Sequence, residues 1–324
     1  MRICWGHIII REKPGSCDEV QGQDQWRGNM DFIMIPAGKD WPRFIKVFND
    51  CTRYAPYSLK LTPELVEGFI APFGRTVEDH ACIAFNGEAA GISHVGIHVD
   101  GTKRTGMIYL LLANDNDAAQ KLLEEAEGWF REKGIKNVLA YWWYPNPYRF
   151  ILHGAEVYGW AGAYAAMNGY RRMQYDIALD VVVMSKDFEE NAIRLPDPGA
   201  LELRETLESE DELAWSAKVT AFSDGRQVGG CGFMHMKALS AHFGKGIGQF
   251  NIGTDPAEHG HDVGRALLQH AHARLHERGV RKVLLATNQE LFRAIKFYEK
   301  MGYRPESIRA YSFSKKLSEP GRSE

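Results

Sequence analysis

The chain is poor in cysteine, and what it has is not paired. Cys4, Cys17, Cys51, Cys82 and Cys231 are odd in number, scattered, and form no Cys-x-x-Cys motif. That spacing excludes a disulfide framework and a zinc site, and it suits a reducing cytoplasm. Long apolar runs are also lacking. The stretch 107–113, among the longest, reads as a strand and falls well short of the roughly 20 residues a membrane span needs. Neither sign of charge is in excess: 39 Lys and Arg stand against 42 Asp and Glu, a formal net charge of −3. Such a balance offers nothing to a nucleic acid. No membrane or nucleic-acid partner is therefore expected, and no pattern gives an oligomeric state. The first 29 residues lack a signal-peptide core of adequate length; they are expected to be an extension outside the fold.

What the chain has is a repeat. With 324 residues, 44% of them hydrophobic, there is material for two cores at about 100–200 residues per domain. The stretches 118–140 and 263–285 correspond at a constant offset of 145 residues, as in Leu122 and Leu267, Ala126 and Ala271, Gly134 and Gly279. Each is an amphipathic helix, a glycine stop, a basic residue and a short apolar strand. Each is preceded by a hairpin, 82–97 with an Asn-Gly tip and 218–235 with a Ser-Asp-Gly tip. Each is followed by a helical stretch with Gly-Tyr-Arg, 168–172 and 301–305. The first copy adds a strand at 31–36 and helices at 40–51 and 62–73, with Asp40 and Thr62 as N-caps. The second copy has no room for those two helices. The expected organisation is a first lobe over 30–183, a polar linker over 184–200 and a second lobe over 201–318.

The two copies differ where their long helices begin. In the second, the strand 248–254 leads into the loop DPAEHGHD (255–262), and Gly260 and Gly264 keep that turn free of Cβ atoms. A helix N-terminus offers free N–H groups to an anion. His259, His261 and Arg265 could add donors or positive charge. In the first copy the link is the shorter Asn-Asp-Asn-Asp of 114–117, with no glycine and two carboxylates that should repel a phosphate.

The second copy resembles the GNAT superfamily of N-acetyltransferases. Their pattern Arg/Gln-x-x-Gly-x-Gly/Ala falls here on His259 to Gly264; the last glycine matches, while His259 replaces the Arg/Gln and Asp262 the middle glycine. Their second pattern, Asn-x-x-Ala-x-x-x-Tyr followed by Gly-Phe/Tyr, falls on Leu291, Ala294, Tyr298, Gly302 and Tyr303, with leucine in the asparagine place and Asn288 as the helix cap. The resemblance covers 201–316 in order and motif, and 30–180 in layout. It implies a mixed α/β fold of two tandem GNAT-like domains, each a mixed, mainly antiparallel sheet flanked by helices, the N-terminal lobe degenerate.

The resemblance further implies that acetyl-CoA is the co-substrate, with no metal. It would be held by Ile252, Gly253 and Thr254 at the strand end and by His259, Gly260, His261, Val263, Gly264 and Arg265 at the helix start. Tyr298 takes the family's place for the proton donor to sulfur; in the first copy that place falls on Ala165, with Tyr164 one position off. His235 is a candidate general base. The expected reaction is direct transfer of acetyl to a primary amine of a small-molecule or peptide acceptor, in the cytoplasm. The rival is a non-catalytic acyl-CoA-binding or interaction protein on the same duplication, and turnover separates the two. Two further patterns read as structural: His272 and His276, one turn apart, as a solvated helix face, and the aromatic run 141–150 as a core strand and loop, with an aromatic wall for the acceptor as its functional alternative.

Overall fold

The computed structural model describes residues 32–318, apart from 71–77, 143–145, 149–150, 153–160, 190–192 and 194–198. The expected extension 1–29 lies outside these, as do Cys4, Cys17 and part of the aromatic run. In chain order the elements are β1 (Ile33–Pro36), α1 (Trp41–Cys51), α2 (Pro63–Leu65, continued by a π-helical turn Val66–Ile70), β2 (Asp79–Asn86), β3 (Glu88–Asp100), β4 (Lys103–Ala113), α3 (Asn116–Glu132), β5 (Asn137–Ala140), α4 (Ala161–Arg172) and β6 (Asp176–Asp187). The second half follows with β7 (Glu202–Glu210), β8 (Trp215–Ser223), β9 (Arg226–His235), α5 (Lys237–Phe243), β10 (Gly246–Thr254), α6 (Val263–Glu277), β11 (Val280–Asn288), α7 (Phe292–Lys300) and β12 (Arg304–Lys316).

Local chemistry sets many of these boundaries. Asp40 accepts from the Arg43 N–H and Thr62 from the Leu65 N–H, so both foreseen caps start helices. The β8–β9 hairpin turns on Asp224 and Gly225, both at positive φ, as a tight type I′ connection requires. The glycines that correspond in the repeat, Gly134 and Gly279, both follow their long helices at positive φ, where a side chain would be strained.

All twelve strands join one sheet in the order β1-β2-β3-β4-β5-β12-β6-β11-β10-β9-β8-β7. The last strands of the two halves are exchanged. β6, which ends the first half, pairs with β11 from Asp187 opposite Lys282 to Val181 opposite Asn288. β12, which ends the second, pairs with β5 from Lys316 opposite Asn137 to Phe313 opposite Ala140. β6 and β12 then lie side by side and close the sheet. The strand β6 takes in residues 184–187, so the segment expected to be linker begins four residues late. Met184 is buried in the second core and Phe313, 1% exposed, in the first. Fully burying an aromatic of that size is worth about 1.5–3 kcal/mol, so each lobe depends on the other for part of its core.

The exchange also corrects the reading of His272 and His276. Both are buried, not solvated. The chain leaving β6 brings Phe188 onto their side of α6, with ring centroids 5.0 and 6.0 Å away. His272 Nε2 meets the Tyr303 hydroxyl at 2.6 Å, and His276 Nε2 donates to the Glu189 carbonyl at 3.1 Å.

The faces of the second lobe differ. The face carrying Val219, Cys231, Phe250 and Val283 packs beneath α6 and α7. The other face has no counterpart of α1 and α2, as the sequence indicated. Ile247 and Leu284 are covered there by Met236 and Leu239 of α5 and join the first lobe's core. Lys218, Asn251, Gly253 and Ala286 on that face are exposed. No helix among the described residues is long and apolar enough to cross a membrane.

Candidate functional site

The site begins where two parallel strands part. β10 and β11 pair up to Gln249 opposite Leu284. Beyond that row β11 keeps β6 as its partner and β10 keeps only β9, from Phe250 to Thr254. One edge of β10 is thus left without a strand over the residues that include Ile252, Gly253 and Thr254.

The loop after Thr254 is held by charge. Asp255 accepts from the Ala257 N–H at 2.9 Å, and Arg226 bridges Asp255 at 2.7 Å and Glu258 at 2.5 Å. His261 also lies near Glu258, at 3.4 Å. Gly260 and Asp262 both take positive φ to reach the helix start. The carboxylate of Asp262 does not cap α6; it is 71% exposed and turned toward the Arg265 guanidinium at 3.4 Å. Among the described residues, no acceptor serves the N–H groups of Val263, Gly264 or Arg265; the first bond of the helix runs from Ala266 to the Asp262 carbonyl. The positive end of α6 therefore faces solvent beside the open edge of β10. A methyl group on Gly264 would meet Thr254 Cγ2 and Phe297 Cζ, each at 3.7 Å, which places the strand end, helix start and α7 within contact of one another.

Tyr298 projects from α7 into this region. It is 7% exposed, with Phe250, Phe297 and Tyr303 ring centroids 5.9, 5.4 and 6.0 Å away. Burial, with Cys231 nearby, pushes its phenol up to about 12. His235 is elsewhere. It pairs across the sheet with Gly248, on the other side of the parting row from Thr254, and its Nε2 is engaged with Ser240 Oγ at 3.0 Å. Burial and then the charges of Lys237 and Arg278 hold its pKa down. Thr254, at the end of Ile252–Thr254, and Gly264, next to Val263, meet beside Phe297 of α7, the helix that carries Tyr298; Gly260 and the His259, His261 and Arg265 side chains are exposed at the rim, and His235 lies outside.

The first lobe shows the same frame closed. Its helix α3 is capped by Asp115, whose Oδ1 accepts from the N–H groups of Asp117 at 2.9 Å and Ala118 at 2.7 Å, so the carboxylate occupies the anion position itself. β4 and β5 part after Ile108 opposite Ala140. Beyond that row the Tyr141 hydroxyl accepts from the Leu111 N–H at 3.2 Å and donates to the Leu111 carbonyl, while Asn146 donates to the Tyr109 carbonyl at 3.1 Å. Tyr141 and Tyr148 are buried core, as one reading of the aromatic run had it. The helices also close up. A methyl on Gly169 of α4 would lie 2.9 Å from that of Ala119 on α3. Ala119 is the counterpart of Gly264 at the 145-residue offset.

One correspondence changes. The Tyr303 N–H donates to the Tyr298 carbonyl at 3.0 Å across Gly302, at φ 87°; the Tyr175 N–H donates to the Tyr170 carbonyl at 2.8 Å across Gln174, at φ 58°. Tyr170, not Ala165, is thus the counterpart of Tyr298. The dipeptide Gly169-Tyr170 sits inside α4 rather than at its end and drew the sequence match to the wrong register. Arg226 and Phe297 also escaped the sequence reading: neither belongs to a spacing pattern, and their partners become apparent only in three dimensions.

Comparison with known proteins agrees with this geometry. Residues 214–305 match the acetyltransferase (GNAT) domain. Among curated proteins no sequence match was found. A tandem GNAT protein from the clavulanic acid biosynthesis pathway superposes with a TM-score of 0.64 at 14% identity, over 91% of this chain and 99% of that one. A GCN5-related glucosamine N-acetyltransferase region of a fungal multi-domain GH3 β-N-acetylglucosaminidase gives 0.66 at 16%, over 89% of this chain and 38% of that one. A GCN5-related N-acetyltransferase from Sphaerobacter thermophilus gives 0.58 at 16%, over 88% and 95%. The chain has the fold of a tandem GNAT protein, with a recognisable GNAT acetyltransferase domain in its second half.

Proposed function

We propose that the second lobe binds acetyl-CoA and transfers its acetyl group to a primary amine. One observation carries this: an uncapped helix N-terminus and a strand edge without a neighbour meet beside α7, which carries Tyr298, while in the first lobe the corresponding helix start is capped by Asp115 and the strand end is engaged by Tyr141. The N–H groups of Val263, Gly264 and Arg265 suit a pyrophosphate, and the exposed Arg265, His259 and His261 add donors at the rim. Asp262 counts less against this, because its exposed carboxylate takes none of the helix N–H groups and is met by the Arg265 guanidinium. The free edge of β10 at Ile252–Thr254 offers backbone groups to the pantetheine arm and to the thioester oxygen.

In this reading the amine nitrogen attacks the thioester carbonyl carbon, and the carbon–sulfur bond breaks. Tyr298 gives its proton to the departing thiolate and recovers one from solvent. The proton lost by the amine goes to water, since His235 is engaged with Ser240 and stands apart. A tyrosine pushed up to about 12 stays protonated at neutral pH, which a donor must be. The described cysteines, Cys51, Cys82 and Cys231, are free and buried; they suit a reducing compartment, and we place the protein in the cytoplasm.

Calorimetry with acetyl-CoA tests the binding part. Wild type should bind, and Gly264→Glu, which puts a carboxylate at the helix end, should not. Absence of binding by wild type would refute the assignment. Thiol release in the presence of amines then separates an enzyme from a protein that only binds an acyl-CoA.

A further inference from the structure

The face of the second lobe opposite α6 and α7 changes character at the row where β10 and β11 part. Below it, Ile247 and Leu284 are buried; above it, Asn251, Gly253 and Ala286 are exposed. The other face is covered by α6, α7 and their core, so this face is the more open to an acceptor. Beside this boundary lies an ion pair of the second half that a first-lobe residue joins; its lysine stands opposite Ile247, just below the row. Lys282 on β11 meets Glu306 on β12 at 2.6 Å, the two side chains being 18% and 22% exposed. The Tyr57 hydroxyl, from the first lobe, donates to the same Glu306 oxygen at 3.3 Å. The Lys282 ammonium lies 5.8 Å from the Tyr57 ring centroid, and Phe243 of α5 stands 5.9 Å from Tyr57 with its own ring 44% exposed. Tyr57 takes positive φ to reach this position. A non-glycine residue in that region needs its surroundings to hold it there.

The charges decide what such a boundary would recognise. A dication would meet Lys282, and a dicarboxylate would meet Glu306. An acceptor that opens the pair must complement both charges, and a simple monoamine would leave Lys282 without a partner. A molecule with an ammonium beside a carboxylate matches both at once, and the rings of Tyr57 and Phe243 favour an apolar or aromatic substituent. We propose that the acceptor is an amino acid, bound on the face of the second lobe opposite α6 and α7, with its carboxylate toward Lys282 and its α-amine toward Glu306. This rests on the reading of the second lobe as an acetyl-CoA site. The residues concerned position the acceptor and take no part in bond making.

The test compares L-phenylalanine, L-phenylalaninamide and phenethylamine as acceptors, following thiol release from acetyl-CoA with the full chain. The expected result is that L-phenylalanine exceeds the other two in kcat/KM by about tenfold or more, the usual scale for leaving one of a charged pair unmatched. Lys282→Met should abolish that preference while leaving the Kd for acetyl-CoA unchanged. Because that variant strands the Glu306 charge, Lys282→Met with Glu306→Gln is measured beside it and should lose the preference equally. Equal use of the three acceptors, a preference that survives both variants, or no transfer to L-phenylalanine by a protein that binds acetyl-CoA would overturn the proposal. Failure of wild type to bind acetyl-CoA in calorimetry would overturn the reading beneath it, and the two failures are thereby told apart.

Discussion

His272 offers the sharpest energetic test of the packing around the site. It is 3% exposed, bonded to the Tyr303 hydroxyl, and ringed by Phe188, Phe250 and Tyr303. Burial, with some help from the nearby Lys186 charge, pushes its pKa down from 6.5 to about 3. The unfolded chain therefore takes up a proton as pH falls through 6.5, while the folded chain does not until about 3. Between those values the unfolded state holds more protons, so stability rises with pH and is lost on acidification. Each pH unit in that window is worth about 1.4 kcal/mol, which gives about 2 kcal/mol between neutral pH and about pH 5. Other groups titrate over the same range, so the informative quantity is the difference between wild type and His272→Gln, which keeps a polar partner for Tyr303. Urea unfolding of both proteins near pH 7.5 and near pH 5 should show wild type losing about 2 kcal/mol more than the variant. Equal losses would mean that His272 is charged or solvated in the folded protein, and the account of how Phe188 and α6 pack would fail with it.

Tyr298→Phe should lower kcat by about a hundredfold and leave the acetyl-CoA Kd within about twofold, in steady-state kinetics and calorimetry run side by side. At the start of α6, Gly264→Ala should leave the melting temperature equal or higher, because its methyl finds only contacts at 3.7 Å and alanine favours a helix over glycine by about 0.5–1 kcal/mol, yet it should weaken acetyl-CoA binding. Gly169→Leu should cost stability, about 1–3 kcal/mol by overpacking, since even its first carbon meets Ala119 at 2.9 Å; an unchanged melting temperature would contradict the closed first lobe. Fragments 32–187 and 199–318, expressed separately, should each lack cooperative unfolding by circular dichroism and regain it on mixing, because each lacks the strand that completes its sheet.

Much of this was legible in the chain itself. The periodicity of 118–140 and 263–285, the Asp-Gly turn at 224–225 and the caps Asp40 and Thr62 are local signals, and local structure follows them. The contrast between the two helix starts was legible too, because Asn-Asp-Asn-Asp and a loop bearing Gly260 and Gly264 differ in chemistry before any folding. The strand exchange was not. β6 and β12 are both long strands after a helix, and nothing in their residues says which of two similar sheets each will join. That one uncertainty propagated: without Phe188 in place, His272 and His276 read as exposed, and without the sheet order the Tyr57–Glu306–Lys282 contact could not be drawn. The direction of the Asp262 carboxylate was open for a different reason, since a residue at positive φ before a helix can cap it or turn away.

The exchanged strands have a consequence for how a duplicated gene of this kind can change. A second copy that had lost its ligand would ordinarily be free to decay and be deleted. Here deletion of the first half would remove β6, and with it the strand beside β11 at the edge of the proposed acyl-transfer site. The first lobe can fill its own slot with Tyr141, shed its anion position to Asp115 and still be indispensable. Selection then acts on it as part of the second lobe's wall, and, on the proposed acceptor site, substitutions around Tyr57 would change the acceptor without touching the second half.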